Sequence, residues 1–459
     1  MKKYHSTTIR INTSLLWYPH MKIAVLGLWH LGLVTAGCLA RIGHNVTGFD
    51  DSEQLVSDLG NGHLPVFEPG LVEVVRAELA SGRLAFENDV AKIPSDCQVL
   101  WVAIDTPVDD NDLGDSEGVV KAILRALGFV PDGTLVIISS QLPAGSTRRI
   151  ESEVTSWNHP RGLRFSYSPE NLRLGSAIEV FTHPDRLVVG VGKFEDRSRF
   201  AAVFESITNN IEWMSIESAE VTKHAINAFL AMSVAFANEV AAVCEFVGAD
   251  AREVEHALRS DRRIGKHAYI SAGEAFAGGT LARNVQYLRQ IAAANNFDST
   301  LITAIKLSND LHRGWVKARL QSLVAHLDGC TVTVCGLAYK TGTDTLRRSA
   351  SVEMCDWLLE RGASLRIFDP VVSELPPRWD NRVTRQQDIQ SALRNTDVLI
   401  IGSSVPRLVG NYEVQISPPN LSKMIVLDPG RRCGELEALP DVRYFAVGKS
   451  HSSLKADRD

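Results

Sequence analysis

The chain alternates short apolar segments with longer segments in which apolar residues recur every three or four positions. The first apolar segment, "KIAVLGL", is followed by a glycine-containing turn, the helical pattern "LGLVTAGCLARIG" and a second apolar segment, "NVTGFD". Short apolar runs bounded by turn residues predict buried strands, and a 3.6-residue period predicts a helix. The segment that starts at Met21 therefore predicts a unit of two strands connected by a helix.

The same alternation predicts the fold of the whole chain. Further strands are expected in "VLWVAI", "TLVIIS" and "RLVVGVG", then long helices in "SAEVTKHAINAFLAMSVAFANEVAAVCEFVG" and "LITAIKLSNDLHRGWVKARLQSLVAHL". Strands return in "TVTVCGLAY", "SLRIFDP", "TDVLIIGSS" and "MIVLDPG". The fold class is α/β, with two Rossmann-like, doubly wound parallel-sheet domains joined by a central helical segment. The expected parts are an N-terminal extension, a first domain, a helical segment, a second domain and a tail, at residues 1–20, 21–210, 211–326, 327–450 and 451–459.

Composition narrows the classes of function. The chain has 459 residues, 45% hydrophobic and 22% charged, with a formal net charge of -6 and no basic run, so a nucleic-acid partner is not expected. No uninterrupted apolar run approaches the roughly 18 residues of a membrane span, so no membrane role is expected. The seven cysteines contain no CxxC pair, and the N-terminal extension lacks the apolar core of a signal peptide. A cytoplasmic location is expected.

The turn after the first strand is a candidate dinucleotide site. Its three glycine positions are Gly27, Trp29 and Gly32, and Asp50 ends the second strand about 20 residues later, where a carboxylate can accept both ribose hydroxyls. That charge would repel the additional phosphate of NADP, which favours NAD. The alternative is a Rossmann-like domain without a cofactor, in which the tryptophan covers the vacant site. The predicted cofactor contacts are Gly27, Trp29, His30, Leu31, Gly32, Asp50, Thr106 and Gln141.

Several stretches resemble the UDP-glucose/GDP-mannose dehydrogenase family, from Met21 to about residue 445. "GHLPVFEPGL" resembles the family's "PxxEPGL", "AIDTP" its "AVGTP", and "SPENLRLG" its "PEFLxEG". "AEVTKHAINAFLA" followed by "NE" is similar to "AExxKxxxNxxLA...NE", "DRRIG" to "DxRIG", and "GLAYKTGTDTLRRS" to "GLAFKxxTDDxRxS". The resemblance implies oxidation of a nucleotide-linked sugar with NAD.

Members of this family oxidise one sugar carbon twice, through a cysteine thiohemiacetal and thioester in the loop "GFGGSCxxKD". In the present chain the resemblance places Thr280 at the cysteine, Arg283 at the lysine and Asn284 at the carboxylate, while Gln141 takes the place of a water-positioning threonine. A thiol is both a better nucleophile and a better leaving group than an alkanol, and an amide is not a proton acceptor. The acid-forming half of the reaction is therefore expected to be lost.

Other positions match the family pattern. Lys223 and Asn227 are four residues apart and share one helix face, where they can stabilise an alkoxide. The resemblance makes Glu170 a candidate base, although Leu174 replaces the second family glutamate. The predicted catalytic residues are Lys223, Asn227, Glu170, Thr280 and Asn284. The predicted substrate contacts are Glu170, Leu172, Lys223, Asn227, Arg263, Phe276, Gly278, Lys340 and Arg347.

The resemblance implies that Arg263 reaches the sugar site of a neighbouring subunit, and that Lys340 and Arg347 serve a C-terminal nucleotide site. The long apolar helix around residues 226–248 predicts a homodimer, since a symmetric partner would cover it. Its alternative is a helix buried within one chain. The predicted function is NAD-dependent oxidation of a nucleotide-activated sugar, with a UDP-sugar favoured. The alternatives are a redox-neutral conversion, as in an epimerase, lyase or decarboxylase, and a non-catalytic nucleotide-sugar-binding protein.

Overall fold

A computed structural model of the chain describes residues 20–106, 114–157, 161–170, 172–277, 279–339, 344–379, 381–402 and 422–450. The first 19 residues of the expected extension, the expected tail, and the predicted site residues Gly278 and Lys340 lie outside the described residues. The chain divides into two compact units, which are residues 1–106 with 116–220 and residues 107–115 with 221–459.

The first unit contains an eight-stranded sheet with the order β3-β2-β1-β4-β5-β6-β7-β8. Its strands are β1 (Lys22–Leu26), β2 (Asn45–Phe49), β3 (Leu84–Glu87), β4 (Val99–Val102), β5 (Leu135–Ile138), β6 (Arg164–Tyr167), β7 (Leu187–Val191) and β8 (Ile211–Ser215). The pattern predicted five of these strands; β3, β6 and β8 contain charged or hydroxyl residues and lack its apolar signal. The strand β8 extends the sheet five residues beyond the expected limit at residue 210.

All neighbouring strands of this sheet are parallel except β6 and β7, which are antiparallel. The helix between these two strands has six residues, shorter than the crossover helices that usually join parallel neighbours. Strand order reverses between β1 and β4, so their carboxyl ends form the crevice in which doubly wound sheets bind ligands.

Helices cover both faces of the first sheet. They are α1 (His30–Ile42), α2 (Glu53–Gly60), α3 (Leu71–Ala80), α4 (Ser116–Leu127), α5 (Ser146–Thr155), α6 (Ala177–Thr182) and α7 (Arg197–Phe204). One apolar cluster packs the sheet against α1 through residues such as Val25 and Leu39, and a second packs it against α4 through residues such as Leu100 and Ile123. The two clusters explain why β1, β4 and β5 are apolar at every position except Lys22, the first residue of β1.

The second unit combines helices with a six-stranded parallel sheet of order β11-β10-β9-β12-β13-β14. The long helix α8 (Ile216–Val247) enters this unit at residue 221. The other helices are α9 (Ala251–Ser260), α10 (Gly279–Ala294), α11 (Thr300–His312), α12 (Trp315–Leu323), α13 (Ala350–Leu359) and α14 (Ile389–Leu393). The strands are β9 (Thr331–Cys335), β10 (Ser364–Phe368), β11 (Val383–Arg385), β12 (Val398–Ile401), β13 (Met424–Asp428) and β14 (Val442–Ala446).

The helix α8 differs from the expectation about membrane spans. An 18-residue window within it has a mean hydropathy of 1.6, so its length and composition alone would allow it to cross a membrane, and 44% of that window is buried in the chain. The core helix of a soluble protein has the same properties. One stripe of α8 is exposed, and its large apolar side chains are Val221, Phe229, Phe236, Val243, Phe246 and Val247.

Candidate active site

The turn between β1 and α1 is closely packed against the end of β4. Gly27 has a φ of +92°, and a Cβ atom there would lie 2.7 Å from the Cα of Ile104. A Cβ atom on Gly32 would lie 1.7 Å from the carbonyl oxygen of Gly27. Both glycines are therefore required for the chain to turn and for α1 to start next to the sheet.

The start of α1 fits a dinucleotide pyrophosphate. Trp29 is the N-cap residue with a φ of -71°, an ordinary value for a residue other than glycine, and its side chain makes no capping hydrogen bond. The first backbone N–H groups of α1, at His30, Leu31 and Gly32, are thus not capped by that side chain, and such groups bind phosphate. The indole is 48% exposed at the mouth of this turn.

Asp50 lies at the carboxyl end of β2, beside the same turn. Its carboxylate accepts hydrogen bonds from the backbone N–H of Leu28 at 2.9 Å and of Ser52 at 3.0 Å, which fix its orientation. The side chain is half-buried, so the carboxylate retains acceptor capacity for ribose hydroxyls. Together with the two glycines and the helix terminus, this geometry fits NAD.

A buried glutamate connects the turn to a second segment of the first unit. Glu68 is 2% exposed, and its carboxylate accepts hydrogen bonds from His30 at 2.9 Å and from the backbone N–H of Gly175 and Ala177 at 2.8 Å each. Because the carboxylate is an acceptor, the proton of this hydrogen bond lies on His30 Nε2. This role of Glu68 was not predicted from the "FEPGL" stretch, where an acidic side chain beside two turn residues is the only signal.

The remaining predicted residues of the first unit lie in two pairs. Thr106 Oγ1 donates to the carbonyl oxygen of Gln141 at 2.8 Å, which joins the segments after β4 and β5. Glu170 accepts from the backbone N–H of Leu172 at 2.7 Å. The first pair lies at the carboxyl edge of the sheet. Its residues follow β4, which is next to the strand-order reversal, and β5, the neighbour of β4.

Glu220, which the sequence analysis also left unassigned, fixes the start of α5. It is fully buried and accepts from the backbone N–H of Gly145 at 2.6 Å and from the N–H and hydroxyl of Thr147 at 2.9 and 2.7 Å. Burial raises the pKa of this carboxyl, and the three hydrogen bonds oppose the shift. The segment that carries Gln141 is thereby held in place.

In the second unit, α8 presents the predicted pair of polar residues. Lys223 and Asn227 are 6% and 8% exposed, and they occupy one face of the helix as their spacing predicted. Among the described residues, Asn227 Nδ2 has no hydrogen-bond partner. A buried amide donor without a partner indicates a place for a ligand acceptor, since such groups are normally satisfied.

The loop before α10 is held by side chains from α8 and α11. Asn309 accepts from the Phe276 N–H at 2.8 Å and donates to its carbonyl oxygen at 3.1 Å. Asn238 accepts from the Gly273 N–H at 2.8 Å, and His312 contacts the Gly273 carbonyl oxygen at 2.7 Å. Asn309 and His312 were not predicted; a buried asparagine within a helical pattern is the signal that could have identified Asn309.

The start of α10 carries two of the predicted catalytic residues, Thr280 and Asn284. Thr280 is exposed, whereas Asn284 is fully buried and donates from Nδ2 to the Thr280 carbonyl oxygen at 2.6 Å. Asn284 Oδ1 lies 2.7 Å from Nδ1 of His224, a buried residue of α8, and the ring of Tyr287 packs edge-on against that imidazole. His224 was not predicted because it directly follows Lys223 in a helix where a histidine has an ordinary structural explanation.

The two remaining predicted substrate residues are cationic. Arg263 follows α9, binds Asp261 through Nη2 at 2.7 Å, and its side chain is 89% exposed. Arg347 is exposed beside a cavity of 390 Å³ in the second sheet domain. This cavity is lined by Leu346, Arg347, Arg348, Ser349, Val352, Glu353, Pro376 and Arg378.

All seven cysteines of the chain are free and buried. Burial raises the pKa of the Cys38 and Cys330 thiols to about 12 and also raises the pKa of Cys97, Cys244 and Cys355. A buried thiol with a raised pKa is a poor nucleophile.

Comparisons with known proteins agree with this geometry. Three models of the UDP-glucose/GDP-mannose dehydrogenase family match the chain: the NAD binding domain at residues 21–208, the central domain at 217–311, and the UDP binding domain at 333–428. The matches cover the first sheet except β8, most of the central helices and most of the second sheet. NAD is therefore the cofactor of this family fold, as the turn geometry indicates.

Relatives cover nearly the whole chain. It is 30% identical over 433 residues to the UDP-glucose 6-dehydrogenase YwqF of Bacillus subtilis, covering 94% of this chain and 98% of the relative. It is 31% identical to the UDP-glucose 6-dehydrogenase of Pseudomonas aeruginosa over 396 residues, 83% of this chain and 87% of the relative. A UDP-glucose dehydrogenase structure from Pyrobaculum islandicum superposes with a TM-score of 0.82 at 28% identity, covering 95% of this chain and 99% of that chain. The chain belongs to the UDP-glucose/GDP-mannose dehydrogenase family of NAD-dependent nucleotide-sugar dehydrogenases.

Proposed function

We propose that this protein is an NAD-dependent oxidoreductase that transfers one hydride from a nucleotide-linked sugar and does not form the acid through an acyl-enzyme. The observation that carries the proposal is the start of α10, where Thr280 is exposed and Asn284 is buried, at the positions where the resemblance to the family implies a cysteine and a carboxylate. NAD supplies the hydride acceptor. The chain's own residues bind the sugar, orient it and handle the proton.

The second oxidation needs a nucleophile that attacks an aldehyde and then leaves as the acyl group is hydrolysed. An alkanol is much less acidic than a thiol, so Thr280 is poor at both steps. Asn284 donates to the Thr280 carbonyl oxygen and cannot accept a proton from water. None of the seven buried cysteines is placed as an exposed replacement.

The substrate contacts are proposed residue by residue. We assign Glu170, Leu172, Lys223 and Asn227 to the sugar. Lys223 supplies positive charge, and Asn227 Nδ2, which has no hydrogen-bond partner among the described residues, supplies a donor for the sugar oxygen. The further proposed contacts are Phe276, Gly278, Arg263, Lys340 and Arg347. The relatives named as UDP-glucose dehydrogenases favour a UDP-sugar.

Two alternatives have different products. In a redox-neutral conversion, retained NAD takes the hydride and returns it after epimerisation, elimination or decarboxylation. A non-catalytic protein would bind the nucleotide sugar and leave it unchanged. The half-exposed Asp50 beside a turn that fits NAD favours a catalytic protein over the second alternative.

The deciding experiment incubates the protein with NAD and a panel of nucleotide sugars, and follows NADH and product mass together. We expect at most one NADH per converted sugar and a carbonyl product or an isomer. Two NADH per sugar with a uronic acid at a normal rate would contradict the proposal. An unchanged sugar throughout the panel would instead support the non-catalytic alternative.

A Thr280→Cys variant tests which loss matters. We expect the thiol alone not to restore acid formation, because Asn284 and Gln141 still provide no partner for the attacking water. A Thr280→Ser variant is the matched control, since it keeps a hydroxyl of similar acidity. Full acid formation by the cysteine variant would show that the water-handling residues are not limiting.

We also propose a homodimer in the cytoplasm without nucleic-acid or membrane partners. The exposed stripe of α8 carries six large apolar side chains, and Leu307 and Leu311 of α11 are exposed as well. A symmetric copy would bury such a surface, and it would bring the exposed Arg263 to a neighbour's site. Light scattering should give twice the chain mass, and Phe236→Glu should shift it toward the monomer. A wild-type monomer at micromolar concentration would contradict both inferences.

The seven free thiols fit a reducing compartment. We retain residues 21–210, 211–326 and 327–450 as the proposed limits of the cofactor, helical and nucleotide-sugar domains. Limited proteolysis with mass spectrometry of the fragments would test these limits, and stable fragments that end inside a sheet would contradict them.

A further inference from the structure

The hydrogen bonds around Asn284 determine which nitrogen of His224 carries a proton. The Thr280 carbonyl oxygen can only accept, so the Asn284 group 2.6 Å from it is the NH₂ donor. Asn284 Oδ1 then faces Nδ1 of His224 at 2.7 Å. An amide oxygen also only accepts, which requires the imidazole proton to lie on Nδ1. In the neutral ring, Nε2 is left as the basic nitrogen.

The reaction needs a proton acceptor that the neighbouring residues do not provide. Removal of a hydride from a carbon that bears a hydroxyl group requires the hydroxyl proton to leave. Asn227 and Asn284 are amides, and the Lys223 ammonium is a donor. Among these residues of α8 and α10, His224 is the one whose side-chain type titrates in the neutral range. It directly follows Lys223 and is three residues before Asn227, on the same helix.

We propose that His224 Nε2 accepts the hydroxyl proton of the sugar, and that Asn284 is a positioning residue that keeps this nitrogen unprotonated. This inference rests on the proposed function. In the balanced step, the C–H bond gives its electron pair and hydrogen to NAD as hydride. The O–H bond gives its proton to Nε2, and the products are a carbonyl, NADH and an imidazolium. The histidine thus accepts the hydroxyl proton in a site where position 284 carries an amide and no carboxylate.

Charged and titratable side chains lie on both elements that meet at the ring. Lys223 adjoins the histidine on α8, and Arg283 and Tyr287 lie on α10, which packs against it. Burial raises the pKa of the Tyr287 phenol, Arg283 opposes this shift and Asp115 reinforces it. Charges of both signs thus act on the phenol that packs against the ring, and the position of the ring proton follows from the hydrogen bond to Asn284.

The proposal predicts that a carboxylate at position 284 would favour a protonated His224 ring, which is the opposite of the effect of the Asn284 amide. In Asn284→Asp, both side-chain oxygens are acceptors, so one faces the Thr280 carbonyl oxygen and the other attracts a protonated imidazole. An opposite charge at this distance raises the pKa of an imidazole by about one pH unit or more. The acid limb of kcat/KM should therefore move to higher pH by that amount, because a base that holds its proton more tightly is inactive over a wider acidic range.

One readout is independent of turnover. The full chain with ¹⁵N-labelled histidine should show His224, assigned from its missing signals in His224→Gln, with a protonated Nδ1 and a pyridine-type Nε2 at neutral pH. In Asn284→Asp the Nε2 signal should change to the imidazolium type. A proton on Nε2 of the neutral wild-type ring would overturn the proposal.

The second readout is the pH profile, measured with NAD and UDP-glucose as the probe substrate, and with the converted sugar of the panel if UDP-glucose is inert. His224→Gln should remove the acid limb and lower kcat by about 100-fold or more. His256→Gln, the same change at an exposed histidine of α9, should have no effect. Thermal melting of each variant identifies any loss of folding.

Three kinetic results would also overturn the proposal. The first is an acid limb that remains in His224→Gln or does not move in Asn284→Asp. The second is an acid limb that disappears in Glu170→Gln, which would assign the proton to that carboxylate. In either case the proposed function would stand. The third is a wild type that converts no nucleotide sugar, which would overturn the proposed function as well.

Discussion

Each sheet domain has a glycine turn in which the next backbone N–H group donates to an aspartate. The two aspartates differ in their remaining capacity to bind a ligand. In the first, Gly27 has a φ of +92° and the next residue, Leu28, donates its N–H to Asp50 at the end of the neighbouring strand. In the second, Gly336 has a φ of +90° and Leu337 donates in the same way to Asp369 at 2.7 Å. The segments read "GLWH…FD" and "GLAY…FD".

The two carboxylates differ in what else they bind. Asp50 is half-buried and accepts from two backbone N–H groups, whereas Asp369 is buried and also accepts from Val371 at 2.8 Å and Val372 at 2.9 Å. The helix α1 begins three residues after Gly27, but α13 begins fourteen residues after Gly336. The Asp50 carboxylate keeps acceptor capacity beside a helix terminus, which suits a dinucleotide. The Asp369 carboxylate is buried and already accepts several backbone hydrogen bonds, so it stabilises the loop.

The largest expected effect is on stability, at Asp369. Asp369→Ala leaves at least three backbone N–H groups without their acceptor, so the free energy of unfolding of the second domain should fall by about 3 kcal/mol or more. Urea unfolding measures this, and NAD affinity should not change. A weakened NAD affinity in a folded Asp369→Ala protein would contradict the distinction between the two aspartates.

Lowering the pH should reduce the free energy of unfolding of the first domain more than that of the second. The expected difference is similar in size to the effect of Asp369→Ala. Burial, with a smaller contribution from His20, lowers the pKa of His44 from 6.5 to about 4. The unfolded chain binds this proton between these pH values and the native domain does not, so native stability is lost as pH falls from about 6.5 toward 4. The full loss is about 3 kcal/mol in the free energy of unfolding.

Residues 327–450 contain no histidine, so the second sheet domain lacks this source of acid sensitivity. Hydrogen exchange with mass spectrometry can follow the two domains separately as the pH is lowered. His44→Gln should flatten the pH dependence of the first domain in this range. Equal acid sensitivity of the two domains would contradict the assignment.

Asp50→Ala should affect the cofactor more than the fold. Loss of a carboxylate that accepts from ribose hydroxyls should weaken NAD by about 10-fold to 100-fold, and discrimination against NADP should fall, because acceptor and repelling charge are one group. Calorimetric titration with both dinucleotides measures the two effects. Equal NAD affinity in wild type and variant would remove Asp50 from the site.

The smallest expected effect is at Trp29, which has no equivalent constraint on its backbone. Trp29→Gly should change NAD affinity several-fold without unfolding the domain, because the φ of -71° does not require glycine and the 48% exposed indole lies at the mouth of the turn. Trp29→Phe keeps an aromatic ring as a control. An unchanged affinity in the glycine variant would show that the indole points away from the cofactor.

Sequence pattern was sufficient for most central strands and for the glycine turn. Strands that are buried on both faces are apolar at most positions, so β1, β4, β5, β9, β12 and β13 were visible as apolar runs. The short strands β3, β6, β8 and β11 contain polar residues, and their pairing depends on neighbours that are distant in the chain. For the same reason the antiparallel pair of β6 and β7 had no local signal.

The residues of the candidate site also fall into those that the sequence predicted and those that only the structure identified. The amino-acid types at positions 280 and 284, the shared face of Lys223 and Asn227, and the glycines around Trp29 could be read directly from the chain. Tertiary structure alone could show that Glu68 joins the turn to Gly175 and Ala177, because those residues are more than 100 positions apart.

The sequence by itself determined that the chain forms two doubly wound domains with helices between them, because hydrophobic period and turn residues act over short distances. It also fixed the chemical types available, including an alcohol at position 280 and an amide at position 284. Only the tertiary structure decided which groups face each other: that Asp50 keeps acceptor capacity while Asp369 does not, and that Asn284 meets His224. Hydrogen bonds between distant segments depend on how the helices and sheets pack, and packing is a property of the whole fold.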